Sequence, residues 1–293
     1  MKKNNFQFLD SIETQTSYQN SKIVIVPAPL EKTVSYGKGT SLAPDVIINA
    51  SAYLELFDEE LKCEPIHHAI FTGAPLSNDM RHETFLEFLK DTITEIIHRN
   101  KKPVVIGGEH SLSISPIKAI HNTLSDDFSV LHLDAHTDFR DTYEDTKLSH
   151  ACVMRRVHEL NVPIISIGIR SLSDEEHQFM SRINHPIYFA GDIIRNPQLI
   201  DDALSLLNKN IYITLDIDVF DPTVISQTGT PEPGGLGWYA VLDIIKKISD
   251  LNLNVMGFDV VEFAPDLNDR AQSFTCAKLI YKMMSYFWRN NRD

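Results

Sequence analysis

SVLHLDAHTDFRD, residues 129–141, opens as an apolar, strand-like run and then sets His132, Asp134, His136 and Asp138 at every second position. Isolated buried carboxylates are costly to desolvate, so ionisable groups gathered at a strand end share a partner, most economically a metal ion. A second cluster is then expected elsewhere in the chain.

Outward from this stretch, short β-branched runs alternate with longer segments of helical period. Strands are predicted at 22–27, 69–72, 103–107, 129–134, 163–169, 186–189, 211–216 and 254–262. Helices are predicted at 44–54, 82–98, 113–124, 197–207, 238–248 and 271–287. The clearest is 82–98, where Phe85, Leu86, Leu89, Ile93, Ile96 and Ile97 recur at three- and four-residue steps. Strands separated by helices predict one parallel, doubly wound α/β sheet. No Ser/Gly linker divides it, so residues 1–293 read as a single domain, with 1–20 as an N-terminal segment.

In such a sheet ligands bind outside the carboxyl ends of the strands, near a switch in strand order. The polar clusters fall at those ends: PVVIGGEHS reaches His110, LHLD reaches Asp134, ITLDIDVFD reaches Asp216 and Asp218, and DVVEFAPD reaches Glu262. Alternate residues of an extended chain share a face but stand about 6.6 Å apart, so one ion holds Asp134, His136 and Asp138 only if the chain bends. With that bend, two ions about 3.5–4 Å apart are bridged by Asp134 and Asp216, and His110, His136, Asp138 and Asp218 complete the two sites. Imidazole and carboxylate without thiolate suit Mn²⁺, with Fe²⁺, Co²⁺ or Zn²⁺ also compatible. His132 lies deeper than Asp134 and is expected to hydrogen-bond to a ligand instead of ligating. Asp259, on the other parity of the last strand from Glu262, is expected to play a structural or supporting part. Cys152 reads as a small buried filler.

Composition frames these expectations. The chain has 293 residues, is 43% hydrophobic, and carries 27 Lys and Arg against 40 Asp and Glu, a formal charge of −13. Such a balance disfavours nucleic acid and anionic membrane as partners and favours a cation. Three scattered cysteines, Cys63, Cys152 and Cys276, form neither a disulfide framework nor a zinc ribbon, which fits a reducing cytoplasm. MKKNNFQFLD lacks the apolar core of a leader, and no apolar run approaches the ~18 residues of a membrane span, so a soluble, unprocessed protein is expected.

Six segments, GGEHS at 107–111, DAHTDFRD at 134–141, SHACVMRR at 149–156, DIDVFDP at 216–222, TGTPEPGG at 228–235 and EFAP at 262–265, together resemble the ordered signature of the ureohydrolases, that is, arginases, agmatinases and their relatives. The resemblance runs from about Val34 to Tyr286. It implies an arginase-like, three-layer αβα fold around an eight-stranded parallel sheet, a binuclear manganese hydrolase, and assembly as trimers or hexamers. It further implies that one ion takes His110 and Asp138, the other His136 and Asp218, with Asp134 and Asp216 bridging. By the same likeness His150 is the active-site histidine and Glu262 the acid that pairs with a guanidinium.

Charge supports a small cationic guanidino substrate. Asp134, Asp138, Asp216, Asp218 and a bridging hydroxide outweigh two divalent ions by one negative charge, and Glu262 brings the region to about −2. A phosphate ester would be repelled, Arg140 being the only basic residue beside the opening motif, which ranks a two-metal phosphoesterase lower. In the expected chemistry, water activated by the ions attacks the guanidinium carbon, Asp138 passes a proton to the leaving amine and His150 exchanges protons with solvent. The loops FRDTYEDTKLS and RSLSDEE lack the Ser-Gly-Asn approach of arginases and carry Ser173 where an acid is expected for an α-amine. Agmatine, cleaved to putrescine and urea, is therefore the leading substrate, with Glu144, Asp145 or Glu232 as partners for its distal ammonium. Ala151 departs from the commoner Ser-His-Gly of the family and alters the pocket wall. Arginine, guanidinobutyrate, aminopropylagmatine and formiminoglutamate stand as alternatives, and a noncatalytic, metal-stabilised oligomeric relative as the alternative of another class.

Overall fold

Successive residues of the strands are apolar on both sides, and each side collects its own layer of helices. In the computed structural model, which describes residues 6–10, 14–67, 69–125 and 127–289, the strands are β1 (Ile23–Ala28), β2 (Ile70–Thr72), β3 (Lys102–Gly107), β4 (Ser129–Leu133), β5 (Ile164–Ile169), β6 (Ile187–Phe189), β7 (Asn210–Asp216) and β8 (Asn254–Val261). Of the expected N-terminal segment, residues 1–5 and 11–13 lie outside the described residues. The strands form one all-parallel sheet in the order β2-β1-β3-β8-β7-β4-β5-β6.

The helices are α1 (Ala43–Ser51), α2 (His82–His98), α3 (Ile114–Leu124), α4 (Val153–His158), α5 (Asp174–Arg182), α6 (Ala190–Arg195), α7 (Leu199–Leu204), α8 (Trp238–Asp250) and α9 (Ala271–Trp288). Ile23, Ile25, Val104, Ile106, Leu131, Leu133, Ile213 and Val260 share one buried cluster with Ile47 of α1, Ile193 of α6, Ile200 of α7, Val241 of α8 and Leu279 of α9. The alternate residues Val24, Val26, Val105, Val130 and Tyr212 share the other with Phe85 of α2, Ile117 of α3, Val157 of α4 and Met180 of α5. This is a three-layer αβα arrangement, as expected, and it leaves the parallel strands covered on both faces. Among the described residues no helix is long and apolar enough to cross a membrane.

The predicted strands and helices are present with shifts of a few residues at their ends. The predicted helix 197–207 is shorter, Leu199–Leu204, and α4, α5 and α6 fall where none is predicted. α4 and α6 have six residues each, too few for an apolar period to repeat. In α5 only Phe179 and Met180 are apolar, so it shows no apolar stripe; its sequence signal is the capping box Ser173–Glu176.

Candidate metal centre

β3, β8, β7 and β4 are neighbours in the sheet, and each leaves the sheet through a local distortion that delivers a side chain. After β3, the Gly108 amide donates to the Ala28 carbonyl at 3.0 Å, and a Cβ on Gly108 would stand 2.0 Å from the Leu30 carbonyl oxygen. Only glycine permits that approach, which starts the 3-10 turn His110–Ser113 at the buried His110. After β4, Asp138 takes a φ of 53°, the bend that brings it back towards Asp134. Glu176 holds the bend by accepting the Thr137 hydroxyl at 2.8 Å and the Phe139 amide at 3.0 Å. After β7, Asp216 Oδ1 accepts the Asp218 amide at 2.9 Å and turns the chain into the segment Ile217–Val219. After β8, Glu262 takes a φ of 64°.

The six expected ligands arrive in two groups. Nδ1 of His110 lies 3.1 Å from Oδ2 of Asp134, 3.1 Å from Oδ2 of Asp138 and 3.3 Å from Oδ2 of Asp216. Nδ1 of His136 lies 2.8 Å from Oδ2 of Asp218 and 3.7 Å from Oδ1 of Asp134. Asp134 therefore offers one oxygen to each group. Donor atoms of Asp134, His136 and Asp218 fall within 4.8 Å of one another, as do those of His110, His132, Asp134 and Asp138. His132 already uses both ring nitrogens, Nε2 on Oδ2 of Asp134 at 2.8 Å and Nδ1 on the Ser166 hydroxyl at 3.0 Å, so it supports Asp134 instead of joining the ligands.

The hydrogen bonding of His110 tests whether a cation belongs here. Its Nε2 lies 2.9 Å from the Thr214 hydroxyl, which donates its own hydrogen to Asp259 at 2.7 Å. Thr214 can then only accept from His110, so Nε2 carries the ring proton and Nδ1 has a lone pair. That Nδ1 is buried without a hydrogen-bond partner while three carboxylates close on it. Lone pairs and buried anions facing one another repel until a positive charge enters. Protons supply it when no metal does: burial opposes a charge on His110, but the Asp134, Asp138 and Asp216 carboxylates outweigh burial and push it well above the usual histidine range. Burial is likewise outweighed at His136, which the Asp218 charge pushes up to about 12. Asp138 and Asp216 are raised by burial and then by neighbouring carboxylates. Divalent ions relieve all of these at once, and the donors fit them. Cys152 does not join: burial pushes its thiol up to about 11, and it lies against the Thr146 carbonyl.

A cavity of about 170 Å³ opens beside these groups, lined by His110, His136, Asp138, Asp216, Asp218 and Glu262 together with Tyr36, Arg140, Tyr143, His150 and Thr230. Glu262 accepts the His110 amide at 2.6 Å; burial pushes its carboxyl up to about 8, the His110 amide opposing and the Glu109 charge adding. His150 is half-buried, with Tyr143 edge-on at 5.6 Å. The Arg140 guanidinium lies 5.4 Å from the Tyr143 ring centre, and its Nε 3.9 Å from Glu176.

The expected partners of a distal ammonium fall differently. Glu232 receives the Ser171 hydroxyl at 3.1 Å and lies 3.9 Å from Nε2 of His136, outside the residues that line the cavity. Glu144 and Asp145 form the exposed tip of the Tyr143–Thr146 turn, both with left-handed backbone, and do not line it either. Conversely, Thr33, Glu109, Tyr143 and Thr214 belong to the site without having been singled out. Glu109 stands inside GGEHS and Thr214 inside ITLDIDVFD, but Thr33 reaches the site from a distant loop and has no sequence signal.

Comparison with known proteins agrees with this geometry. The chain is 38% identical to the N(1)-aminopropylagmatine ureohydrolase of Synechocystis sp. over 98% of its length and 95% of the relative's. It is 31% identical to the agmatinase of Pyrococcus horikoshii over 90% of its length and 91% of the relative's. The crystal structure of the agmatine ureohydrolase of Thermoplasma volcanium superposes with a TM-score of 0.83 at 29% identity, covering 94% of each chain. Residues 21–285 match the arginase family, and the chain is a member of it, a hydrolase of guanidino compounds.

Proposed function

We propose that the substrate is a guanidino compound without an α-carboxylate, agmatine in the first place, hydrolysed to urea and putrescine with two manganese ions per chain. The observation that carries this is the charge of the cavity lining: Asp138, Asp216, Asp218 and Glu262 face it against a single Arg, Arg140, whose guanidinium lies near Glu176 and Tyr143. Acids outnumber the single Arg in that lining, which favours a cationic tail over a carboxylate. The 38% identity to an N(1)-aminopropylagmatine ureohydrolase favours N1-aminopropylagmatine as a second reading of the same site.

Two divalent ions, when bound, supply a water acidified enough to attack near neutral pH. His110 and Asp138 would hold one ion and His136 and Asp218 the other, with the carboxylates of Asp134 and Asp216 shared between the two groups. Glu262 accepts guanidinium N–H groups and fixes the plane that is attacked. The guanidinium carbon gains the water oxygen and its bond to the alkyl nitrogen breaks; Asp138 takes a proton from the water and passes it to that nitrogen, which leaves as the alkylammonium, and His150 exchanges protons with solvent. Assembly as a trimer or hexamer belongs to the same proposal, on the strength of the family likeness, and three free thiols support a reducing cytoplasm.

Manganese-loaded protein assayed for urea on agmatine, N1-aminopropylagmatine, arginine and guanidinobutyrate, and for formamide on formiminoglutamate, tests the proposal. An unsatisfied polar group costs roughly 1–3 kcal/mol, so agmatine or its aminopropyl derivative should exceed arginine in kcat/KM by at least about tenfold. Preference for a carboxylated substrate would overturn the assignment.

A further inference from the structure

The loop after β1 is tied to the turn after β3 by a carboxylate that the mechanism leaves unused. Glu109 is fully buried. Its Oε2 accepts the amides of Lys32 and Thr33, the second at 2.6 Å, and its Oε1 accepts the hydroxyls of Ser111 and Thr33, the latter at 2.8 Å. The Thr33 hydroxyl oxygen in turn accepts the His150 amide at 3.1 Å and lies 3.2 Å from Nδ1 of His150.

A threonine hydroxyl has one hydrogen to give, and a carboxylate accepts it. With that hydrogen on Glu109, only lone pairs of Thr33 face His150, so the 3.2 Å contact is a hydrogen bond when Nδ1 carries the imidazole proton. Ser149, 3.3 Å from the same Nδ1, accepts the Ala151 amide at 3.4 Å and can accept there too. We propose that Thr33, backed by Glu109, is a positioning residue that holds His150 in its Nδ1–H tautomer and leaves Nε2 free to take up and release the reaction's proton. Fixing one ring nitrogen of a histidine by a hydrogen bond decides which nitrogen does the chemistry. The assignment rests on the reading of His150 as a proton carrier.

Thr33→Val, Thr33→Ser, His150→Ala and the Thr33→Val/His150→Ala double variant, loaded with manganese and assayed on agmatine and N1-aminopropylagmatine, test it. Thr33→Val should lower kcat by about tenfold to a hundredfold with KM changed less than about threefold, less than the roughly 10²–10⁴-fold of a whole general acid–base contribution because His150 itself remains. Manganese content should be unchanged, Thr33→Ser should restore turnover, and Thr33→Val should add nothing in the His150→Ala background. Independently, ¹⁵N spectra of histidine-labelled, zinc-loaded protein should show His150, identified by its loss in His150→Ala, as the Nδ1–H tautomer, and as a mixture in Thr33→Val. A wild-type Nε2–H tautomer, or additive losses in the double variant, would overturn the proposal. Full turnover of His150→Ala would sink the reading of His150 itself, whereas full turnover of Thr33→Val beside a slow His150→Ala would sink only the part given to Thr33. Should Thr33→Val not fold, the wild-type spectrum still decides.

Discussion

Oδ2 of Asp134 lies 3.1 Å from Nδ1 of His110, a nitrogen whose ring partner is already committed to Thr214. Only a cation or a proton makes that approach favourable in a buried site. The other oxygen of Asp134 faces His136, so loss of one negative charge at this residue affects both groups.

Asp134→Asn should therefore reduce bound metal at both positions, and Asp216→Asn should do the same if it bridges as proposed. Wild-type protein should hold two divalent ions per chain by elemental analysis. Two ions and full turnover in either variant would remove that residue from the bridge.

Thr214 meets the expected ligands through a hydrogen bond with Nε2 of His110, and its own hydroxyl is held by Asp259. Partners of this kind typically contribute 10–100-fold to metal affinity, so Thr214→Val should weaken metal binding by about that factor in chelator competition. Unchanged affinity would show that His110 is held by its surroundings without this bond.

His150 and Glu262 line the cavity outside the six expected ligands. His150→Ala and Glu262→Gln should keep two metal ions and lose turnover, His150→Ala by roughly 10²–10⁴-fold. Unchanged kinetics with verified metal content would exclude both from the chemistry.

Away from the site, Lys282 of α9 is buried against Asp58, Glu59 and Glu60. Glu60 also receives Tyr286 at 2.7 Å and Lys246 at 3.0 Å; burial raises its carboxyl, but these bonds outweigh burial and bring it to about 2 from an ordinary 4.5. A carboxylate lowered on folding stabilises above its unfolded value and loses that contribution as pH falls through its folded one. Glu60→Gln should lower Tm at neutral pH, and the difference from wild type should shrink between about pH 4.5 and 2. A difference independent of pH would show that the side chain acts by packing alone.

The sequence by itself determined the strands and the layer type and singled out the six candidate ligands, because each lies within a few residues of the end of a β-branched run whose period and length are local properties. His132 was legible as a support of Asp134 for the same reason, since two residues on one strand face cannot escape each other. Strand order was not legible. β3 and β4 are consecutive in the chain, yet β8 and β7 stand between them, and only that placement puts His110 beside Asp216 and Glu262. Alternation also failed at the end of β8: Asp259 and Glu262 have opposite parity, but both serve His110, one through Thr214 and the other on its amide. Pairing stops at Val261, and the left-handed backbone of Glu262 turns its side chain independently of the strand. Thr33 shows the same limit at longer range, since its contacts with Glu109 and His150 cross 76 and 117 residues and exist only because parallel strands bring their carboxyl ends to one edge.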